Sequence, residues 1–400
     1  MKNLTITAPK GFLAAGLHCG IKASGKPDLA LLYCPNGAAA AAVFTTNKIV
    51  SAAVTVCREH ARSGRTFAAV INSGNANACT GQKGIADAQK MCQTSAELLG
   101  IRPEQVLIAS TGIIGHPLPI QTVCEGLRKA AARLGEGAAA GLNFAKAILT
   151  TDTKVKNAVR TVKLNGKTVT LAGTVKGAGM IGPNMATTLC ILTTDAAIRK
   201  PLLQKALRTA VDQSLNRLTV DGHQSTNDTA MILASGLAGN RMIQKQDGAY
   251  HRFETALTEL CLDLARQMAL DAEGATRMFT VVIEGAASAA EARQAARAVA
   301  NYDLVKCAVH GADPNWGRII CAVGSSGVRL NPEKLTCKIG QITVFRNGQP
   351  ARFDPKKVSR IIAQKEHTIT VYLGAGIHSD FCMGCDLSRE YITINADYHT

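Results

Sequence analysis

The 400-residue chain is long enough for one large or two medium domains, and its 46% hydrophobic and 18% charged residues exclude a disordered protein. Its net charge of +16 comes from scattered Lys and Arg, and aromatic residues make up only 4%, which argues against a nucleic-acid partner. The N-terminus lacks an apolar signal segment, no apolar run reaches the roughly 18 residues of a membrane span, and the thirteen dispersed cysteines fit reduced thiols. We therefore expect a cytoplasmic protein without a membrane partner.

Hydrophobic periodicity predicts alternating helices and strands along the whole chain. In chain order these are a strand at 67–71, a helix at 85–99, a strand at 105–109, a helix at 120–134, strands at 157–164, 167–175 and 187–194, helices at 203–214 and 253–268, a strand at 278–283, a helix at 288–300, strands at 318–323 and 336–345, a helix at 354–364, and strands at 368–373 and 391–395.

Two turn sequences decide the fold class. Asn165-Gly166 separates two alternating runs, which is typical of a type I′ hairpin, and Asn347-Gly348 is a weaker second case. Hairpins exclude a purely parallel sheet, so the pattern predicts an α+β or mixed α/β protein. The residues from about 285 to 400 are predicted to form a smaller C-terminal α/β unit.

The most informative stretch is Lys176–Thr194, in which a Gly-rich turn with Pro183 precedes a β-branched run. This pattern predicts a tight bend followed by a buried strand. Thr187 lies at the start of that strand and is well placed to act as a nucleophile. If the Ala186–Thr187 bond broke, the free α-amine of Thr187, with a pKa of about 8, would act as its general base.

Two other motifs resemble a dinucleotide-binding site and a metal site, but the residues around them do not fit either kind of site. Residues 177–182 fit G-x-G-x-x-G, but a β-branched strand follows them where a dinucleotide site needs a helix. Cys382 and Cys385 form a C-x-x-C pair with His378 nearby but without an evident fourth ligand, so we predict structural cysteines and no metal site.

Several polar loops are dense enough to carry chemistry, although each could also be an ordinary turn. They are 71–78, 109–115, 219–228, 271–276 and 311–318, the last of which holds the only Trp. In the second of these loops, the Thr111 hydroxyl and a backbone N–H at Gly112 could face one oxyanion. No Ser-His-Asp or Cys-His catalytic arrangement can be recognised in the sequence.

Taken together, seven ordered motifs resemble the ornithine acetyltransferase family, the self-cleaving glutamate N-acetyltransferases of arginine biosynthesis. The resemblance runs from the N-terminal PKGF to the last residue. Its motifs are INSGNANACTG at 71–81, STGIIG at 110–115, KGAGMIGPNMATTL at 176–189, STND at 225–228, EGAT at 273–276, GADPNWGRI at 311–319 and NADYHT at 395–400.

The resemblance implies a ping-pong mechanism. The precursor would cleave itself between Ala186 and Thr187, and Thr187 would take acetyl from N-acetylornithine and pass it to glutamate. Thr111 and Gly112 match the oxyanion-hole positions. The positions matching substrate-binding residues are Thr150 (or its neighbour Thr151), Lys176, Thr187, Glu273, Asn395 and Thr400.

The resemblance also implies an architecture, a layered αββα core like that of N-terminal-nucleophile enzymes. Fragments 1–186 and 187–400 would stay together and pair into an α₂β₂ heterotetramer without a cofactor, and acetyl-CoA stays open as a second acetyl donor. The chain departs from the family pattern at His223-Gln224, which puts substrate preference in question. It also departs at Gly182 and Thr188, on either side of the expected cleavage point.

Two other functions remain open from the sequence. The first is an N-terminal-nucleophile amidohydrolase or aminopeptidase, which would cleave itself in the same way but use water as the acceptor. The second is a non-enzymatic binding module, in which the chain would stay intact. A denaturing gel separates the binding module from both enzymes, because only the enzymes would give two bands near half-size.

Overall fold

The structure, a computed structural model, describes residues 4–182 and 188–397. These residues form two β-sheets with helices packed against them, so the mixed α/β fold is as predicted. Three hydrophobic cores hold the fold together, two of them on either side of the first sheet and one at the second sheet.

The first sheet has eight strands in the order β4-β3-β2-β8-β7-β6-β5, with β1 also paired to β2. Its long strand β2 pairs with β1 and β3 through its first half and with β8 through its second half, and so joins two sub-sheets. The strands are β1 Leu13–Leu17, β2 Leu29–Phe44, β3 Thr66–Asn75, β4 Val106–Ile113, β5 Lys156–Leu164, β6 Lys167–Lys176, β7 Leu189–Thr194 and β8 Thr229–Ala234.

Strand β7 shows how the layers are built. Its alternate residues Leu189 and Ile191 enter the core shared with the first four helices, whereas Cys190 and Leu192 enter the core shared with the next two. This period of two is what a strand buried on both faces requires. The helices are α1 Ala52–His60, α2 Gly81–Leu99, α3 Ile120–Ala131, α4 Gly137–Ala147, α5 Lys200–Asp212 and α6 Gly248–Leu270, and short 3-10 turns lie at Pro103–Gln105 and Leu215–Arg217.

The second sheet has the order β12-β11-β10-β13-β9-β14, with β9 parallel to β13 and antiparallel to β14. Its strands are β9 Met278–Ala286, β10 Thr336–Ile339, β11 Ile342–Arg346, β12 Gln349–Pro350, β13 Glu366–Tyr372 and β14 His378–Cys385. Its helices are α7 Ala289–Asn301, α8 Asp303–His310, α9 Trp316–Gly324, α10 Pro355–Ile362 and α11 Arg389–Asp397.

A buried histidine lies in this second sheet. His367 on β13 is 8% exposed and stacks on the ring of Phe279, with 5.9 Å between the ring centroids. Neither ring nitrogen has a hydrogen-bond partner among the described residues. Because burial disfavours the imidazolium form, the pKa of His367 is lowered to about 4.

Both predicted hairpins are present. Asn165 and Gly166 have φ angles of 49° and 79° and connect β5 to β6, while Asn347 and Gly348, at 48° and 77°, connect β11 to β12. Two consecutive residues with positive φ match the right-handed twist of the flanking strands, which is why Asn-Gly is favoured there.

Two predicted strands are wrong. Residues 318–323 belong to helix α9, whose buried residues Ile319, Ala322 and Val323 follow helical spacing. Residues 391–395 belong to helix α11, on which no residue is buried. The Tyr-Ile-Thr-Ile run favours a strand by propensity, but polar contacts of Tyr391 and Asn395 hold it as a helix, so tertiary contacts override propensity.

Strand β2 was not predicted at all. Its middle is the alanine run 38–42, which carries no β-branched signal, yet Ala38, Ala40 and Ala41 are fully buried. In the part of the chain that the structure describes, the helices are all too short or too polar to cross a lipid bilayer.

Candidate active site

The Gly-rich turn after β6 is held by polar contacts from two other loops. Gly177 and Met180 have φ angles of 155° and 55°, and the amide of Met180 donates to Asp221 Oδ2 over 2.7 Å. The carbonyl of Ile181 accepts bonds from the amides of residues 220–222. A Cβ at Gly182 would lie 2.5 Å from the Gly222 carbonyl, so the absence of a side chain permits this close approach.

The predicted nucleophile and cleavage position, Thr187 and Ala186, lie outside the described residues, as do Pro183 and the terminal Thr400. Thr188 is described and is buried at the start of the strand region. Its amide donates to Asp228 Oδ1 over 2.9 Å, and its carbonyl accepts from the amide of Thr229 over 3.0 Å.

The predicted oxyanion residues lie at the end of β4, beside β3. Thr111 is 4% exposed and is paired with Ser73 and Asn75. Gly112 has a φ of 134°, and a Cβ there would lie 2.3 Å from the carbonyl carbon of Gly74. Only glycine fits this position, because both the backbone angle and the space exclude a side chain.

Lys176 ends β6 and is buried next to Thr111. Its ammonium donates a hydrogen bond to the Thr111 hydroxyl over 3.2 Å. Burial lowers the pKa of Lys176, and the charge of Lys156 adds to this, whereas the negative charges of Asp152, Asp228 and Glu273 oppose it. The sequence therefore brings two predicted site residues from different sub-sheets into direct contact.

Beneath Lys176 lies a buried ion-pair network that the sequence analysis missed. Lys156 Nζ lies 2.6 Å from both Asp152 Oδ1 and Asp271 Oδ2, and all three side chains are at most 7% exposed. Asp152 also accepts bonds from the amides of Gly177 over 2.8 Å and Thr150 over 3.1 Å. The network thus joins the loop of Thr150, the residue after Lys176 and the 271–276 loop.

The charges in this network set the ionisation of Asp152. Burial alone raises the pKa of Asp152, but the positive charges of Lys156 and Lys176 and the Gly177 amide outweigh it, so that the pKa is lowered overall. The i,i+4 spacing of Asp152 and Lys156 was the only local sign of this network in the sequence.

Glu273 and Asn395 meet on the other side of the turn. Asn395 Nδ2 donates to Glu273 Oε2 over 3.0 Å. A Cβ at Gly179 would lie 2.1 Å from the same carboxylate oxygen, so the turn packs closely on Glu273. The amide of Glu273 donates to the carbonyl of Ala178 over 2.9 Å.

Among the described residues, the predicted positions therefore form one connected site. Thr111 bonds to Lys176, Thr150 is linked to the residue after Lys176 through Asp152, and Glu273 packs on the Gly-rich turn and bonds to Asn395. The site combines buried positive and negative groups, which suits a ligand with charged ends of both signs.

The sequence features outside this site lie as follows. The His223 ring is exposed and lies 3.5 Å from Asp221, and Gln224 donates to Thr46 over 2.6 Å. Cys382 and Cys385 are buried on β14. Within residues 4–182 and 188–397, no group of three or more His, Cys, Asp or Glu side chains could hold a metal ion.

Comparison with known proteins identifies the family. Residues 13–400 match the ArgJ family. The chain belongs to the ArgJ family. The arginine biosynthesis bifunctional protein ArgJ of Symbiobacterium thermophilum is 46% identical over 398 residues, which cover 99% of this chain and 98% of that protein. The ArgJ protein of Bacillus licheniformis is 41% identical over 397 residues, which cover 99% and 97%.

A solved structure also matches this ArgJ family member. It is the arginine biosynthesis bifunctional protein ArgJ of Bacillus halodurans, which is 40% identical with a TM-score of 0.50. The match covers 52% of this chain and 97% of the solved chain. The resemblance inferred from the seven motifs is thereby confirmed.

Proposed function

We propose that this ArgJ family protein cleaves itself between Ala186 and Thr187 and then transfers acetyl from N-acetylornithine to glutamate through an acetyl-Thr187 intermediate. The observation that carries the proposal is the buried contact between Lys176 and Thr111. It sets a cationic side chain and a candidate oxyanion donor side by side, at the start of the turn that leads to Thr187.

Each chemical step has a residue of suitable type. The Thr187 hydroxyl attacks the acetyl carbonyl, its α-amine takes the proton, and ornithine leaves with that proton. The amine of glutamate then attacks the ester, the C–O bond to Thr187 breaks, and N-acetylglutamate leaves. The proton lost by the glutamate amine passes through the α-amine to the Thr187 oxygen, which regenerates the hydroxyl. In both steps, a negative charge develops on the carbonyl oxygen, and we assign its stabilisation to Thr111 and Gly112.

The charged groups of the site fit amino-acid substrates. Lys176 is suited to hold a substrate carboxylate, and Glu273 is suited to hold the ornithine side-chain amine. We propose that Thr150, Asn395 and the terminal carboxylate of Thr400 complete the binding site. The bond between Asn395 and Glu273 supports a shared role for these two residues.

The length of the solved ArgJ chain supports the proposed break. Because 97% of that chain matches 52% of this one, it is about half as long as this chain. A break at Ala186–Thr187 divides the 400 residues near their middle. We propose that the fragments 1–186 and 187–400 remain associated.

Mass spectrometry tests the covalent intermediate. After incubation with N-acetylornithine alone, the 187–400 fragment should carry one added acetyl group on Thr187. Varying both substrates should give parallel double-reciprocal lines, because ornithine leaves before glutamate enters. Intersecting lines together with an unmodified fragment would instead mean direct transfer in a ternary complex, and the covalent route would have to be dropped.

A denaturing gel tests the cleavage itself. The purified protein should give two bands near half-size, and Thr187→Ala should give a single chain near 42.0 kDa. N-terminal sequencing that placed the break elsewhere, or efficient cleavage of the alanine variant, would contradict the proposal.

The amidohydrolase alternative differs only in the acceptor. If water were the natural acceptor, ornithine release from N-acetylornithine would run at full rate without glutamate. We expect instead that release stops after one turnover until glutamate is added.

Three further properties belong to the same proposal. The relatives are named bifunctional proteins, which supports testing acetyl-CoA as a second acetyl donor. Glutamate with acetyl-CoA alone is the deciding assay. We propose an α₂β₂ assembly, which light scattering would detect at twice the 42.0 kDa of one protomer.

The thirteen free cysteines support a reducing, cytoplasmic location.

A further inference from the structure

The residue after the proposed nucleophile is held by a buried carboxyl group. The amide of Thr188 donates to Asp228 Oδ1 over 2.9 Å. This amide belongs to the peptide bond that joins Thr187 to Thr188. The Asp228 carboxyl therefore holds the Thr188 nitrogen, which is the described end of that peptide bond.

Asp228 is unusual in its surroundings. It is 0% exposed, and its second oxygen, Oδ2, has no hydrogen-bond partner among the described residues. A buried carboxylate without a full set of partners is costly, so burial raises the pKa of Asp228 well above its ordinary value. In either protonation state, the carboxyl group has an oxygen that can accept the Thr188 amide.

Asn227, the residue before Asp228, contacts the strand that carries the proposed oxyanion residues. Asn227 Nδ2 donates to the carbonyls of Ser110 and Ala76, each over 2.7 Å. Its two N–H groups are thus both used, and Ser110 directly precedes Thr111 in β4. Two consecutive side chains therefore contact the oxyanion strand and the segment that follows the nucleophile.

The backbone between these contacts is itself fixed. The carbonyl of Asp228 accepts from the Thr45 amide over 3.0 Å, and the carbonyl of Thr226 accepts from the Ser51 amide over 2.9 Å. Thr45 Oγ1 also donates to the carbonyl of Ser225 over 2.8 Å. The 225–228 loop is thereby anchored to the end of β2 and the start of α1.

We propose that Asn227 and Asp228 are positioning residues that set the separation between the nucleophile and the oxyanion donors. Asp228 acts on Thr187 through the Thr188 amide, and Asn227 acts on Thr111 and Gly112 through the Ser110 carbonyl. The inference rests on the proposed function, because it requires Thr187 to be the nucleophile. It extends that function to two residues that act through the Thr188 amide and the Ser110 carbonyl.

The expected effect falls on rate rather than on substrate affinity. A displacement of about 1 Å between reacting groups lowers the rate about 100-fold. Asp228→Ala removes the acceptor and should slow self-cleavage and lower kcat by about this factor, with the KM for N-acetylornithine unchanged. Asp228→Asn keeps an acceptor oxygen of the same shape and should retain kcat within a few-fold.

Asp195 provides the matched control. It is also a buried aspartate, 2% exposed, and its carboxyl accepts the amides of Thr170 over 2.7 Å and Lys10 over 3.3 Å at the opposite end of β7. Asp195→Ala should lower the melting temperature as Asp228→Ala does, because each substitution removes a buried carboxyl group that accepts at least one backbone amide. It should leave kcat per cleaved protomer close to that of the parent.

The experiment compares four proteins, which are the parent, Asp228→Ala, Asp228→Asn and Asp195→Ala. A denaturing gel measures self-cleavage, and steady-state kinetics give kcat and KM per cleaved protomer. The proposal is supported if only Asp228→Ala loses kcat. It is overturned if Asp228→Ala keeps the parental kcat, if Asp228→Asn is as slow as Asp228→Ala, or if Asp195→Ala is equally slow. Asn227→Asp provides a second test should Asp228→Ala fail to fold, since it replaces both donors, and parental kcat in that variant would also overturn the proposal.

Failure of this inference is distinguishable from failure of the proposed function. If the parent protein neither cleaves itself nor acetylates glutamate, the proposed function fails. If the parent does both and the variants match it, only the positioning role fails.

Discussion

Lys176 Nζ donates a hydrogen bond to Thr111 Oγ1 over 3.2 Å and so joins the end of β6 to the end of β4. Because the Thr111 oxygen accepts from the ammonium group, its own hydrogen is free to point to a substrate oxygen. The hydrogen bond from Lys176 should also polarise the hydroxyl and make it a stronger donor. We therefore propose that this pair stabilises an oxyanion better than an isolated threonine would.

The first prediction concerns this hydroxyl. Thr111→Val keeps the shape of the side chain but removes the donor, and it should lower kcat by about 100-fold or more. Thr111→Ser, the control, retains the hydroxyl and should stay within a few-fold of the parent. The measurement is the initial rate of glutamate acetylation, and a parental rate in Thr111→Val would show that the hydroxyl stabilises no oxyanion.

The second prediction concerns the glycine beside it. Gly112→Ala places a Cβ 2.3 Å from the Gly74 carbonyl carbon at a φ of 134°, so the backbone must shift and kcat should fall strongly. Gly115→Ala is the control, since it also has a positive φ, 85°, but meets nothing within 4 Å. We expect this control to lose about 1 kcal/mol of stability or more and to retain most of its activity. Equal activities in the two variants would contradict the close-approach argument.

The third prediction concerns the buried ion pairs. Lys156→Met leaves the Asp152 and Asp271 carboxylates without their cation and should lower the free energy of unfolding by about 3–5 kcal/mol at pH 7. Lys154→Met is the control, because Lys154 is an exposed residue two positions away. Urea unfolding in a Thr187→Ala background, where the chain stays single, provides the measurement.

The pH dependence of the same variant checks the cause. In the parent, the lowered pKa of Asp152 means that its contribution to stability is present above its ordinary pKa and is lost as the pH falls through its folded value. In Lys156→Met, a carboxyl should instead bind a proton in the folded state, so the stability deficit should shrink from pH 7 to pH 5. A deficit that stayed constant over this range would mean lost packing rather than lost charge pairing.

The fourth prediction concerns His367. Since its pKa is lowered to about 4 in the folded protein, the unfolded chain binds more protons between about pH 6.5 and pH 4. Stability should therefore fall by up to about 3 kcal/mol as the pH decreases through this window. His367→Phe, which can still stack on Phe279, should lose this dependence, whereas replacement of the exposed His378 by Gln should preserve it. Unfolding free energies at pH 7 and pH 4.5 test the prediction, and equal slopes for the parent and His367→Phe would contradict it.

Local sequence signals were sufficient for part of the fold. Asn165-Gly166 predicted its hairpin correctly, because two positive φ angles are a local requirement that few residue pairs meet. Residues 318–323 were predicted as a strand and form part of α9 instead, because a run of five apolar residues after Arg318 fits the side-chain period of either a strand or a helix. The 391–395 segment failed for a different reason, since its helix is held by contacts with Asp221 and Glu273 that lie over a hundred residues away.

The site, like the fold, could be predicted from the sequence only in part. Motif resemblance gave the family and the candidate residues Lys176, Thr111 and Glu273. It gave no sign that Asp271 would reach Lys156 across the fold, because that contact joins residues from distant parts of the chain. The Asp228 contact with Thr188 was likewise not predicted, since the STND motif at 225–228 marked the loop but gave no sign of what its side chains contact.

The position of β7 and β8 in the first sheet has a consequence for the lifetime of the enzyme. Both strands follow the proposed break, yet they lie between β2 and β6, which precede it. A newly made chain can complete this sheet alone, at a rate independent of concentration. Once the bond has broken, an unfolded molecule must find its other half before either can rebuild a sheet, so its recovery slows with dilution. Thermal damage should therefore be permanent at low protein concentrations at which a freshly synthesised precursor still folds.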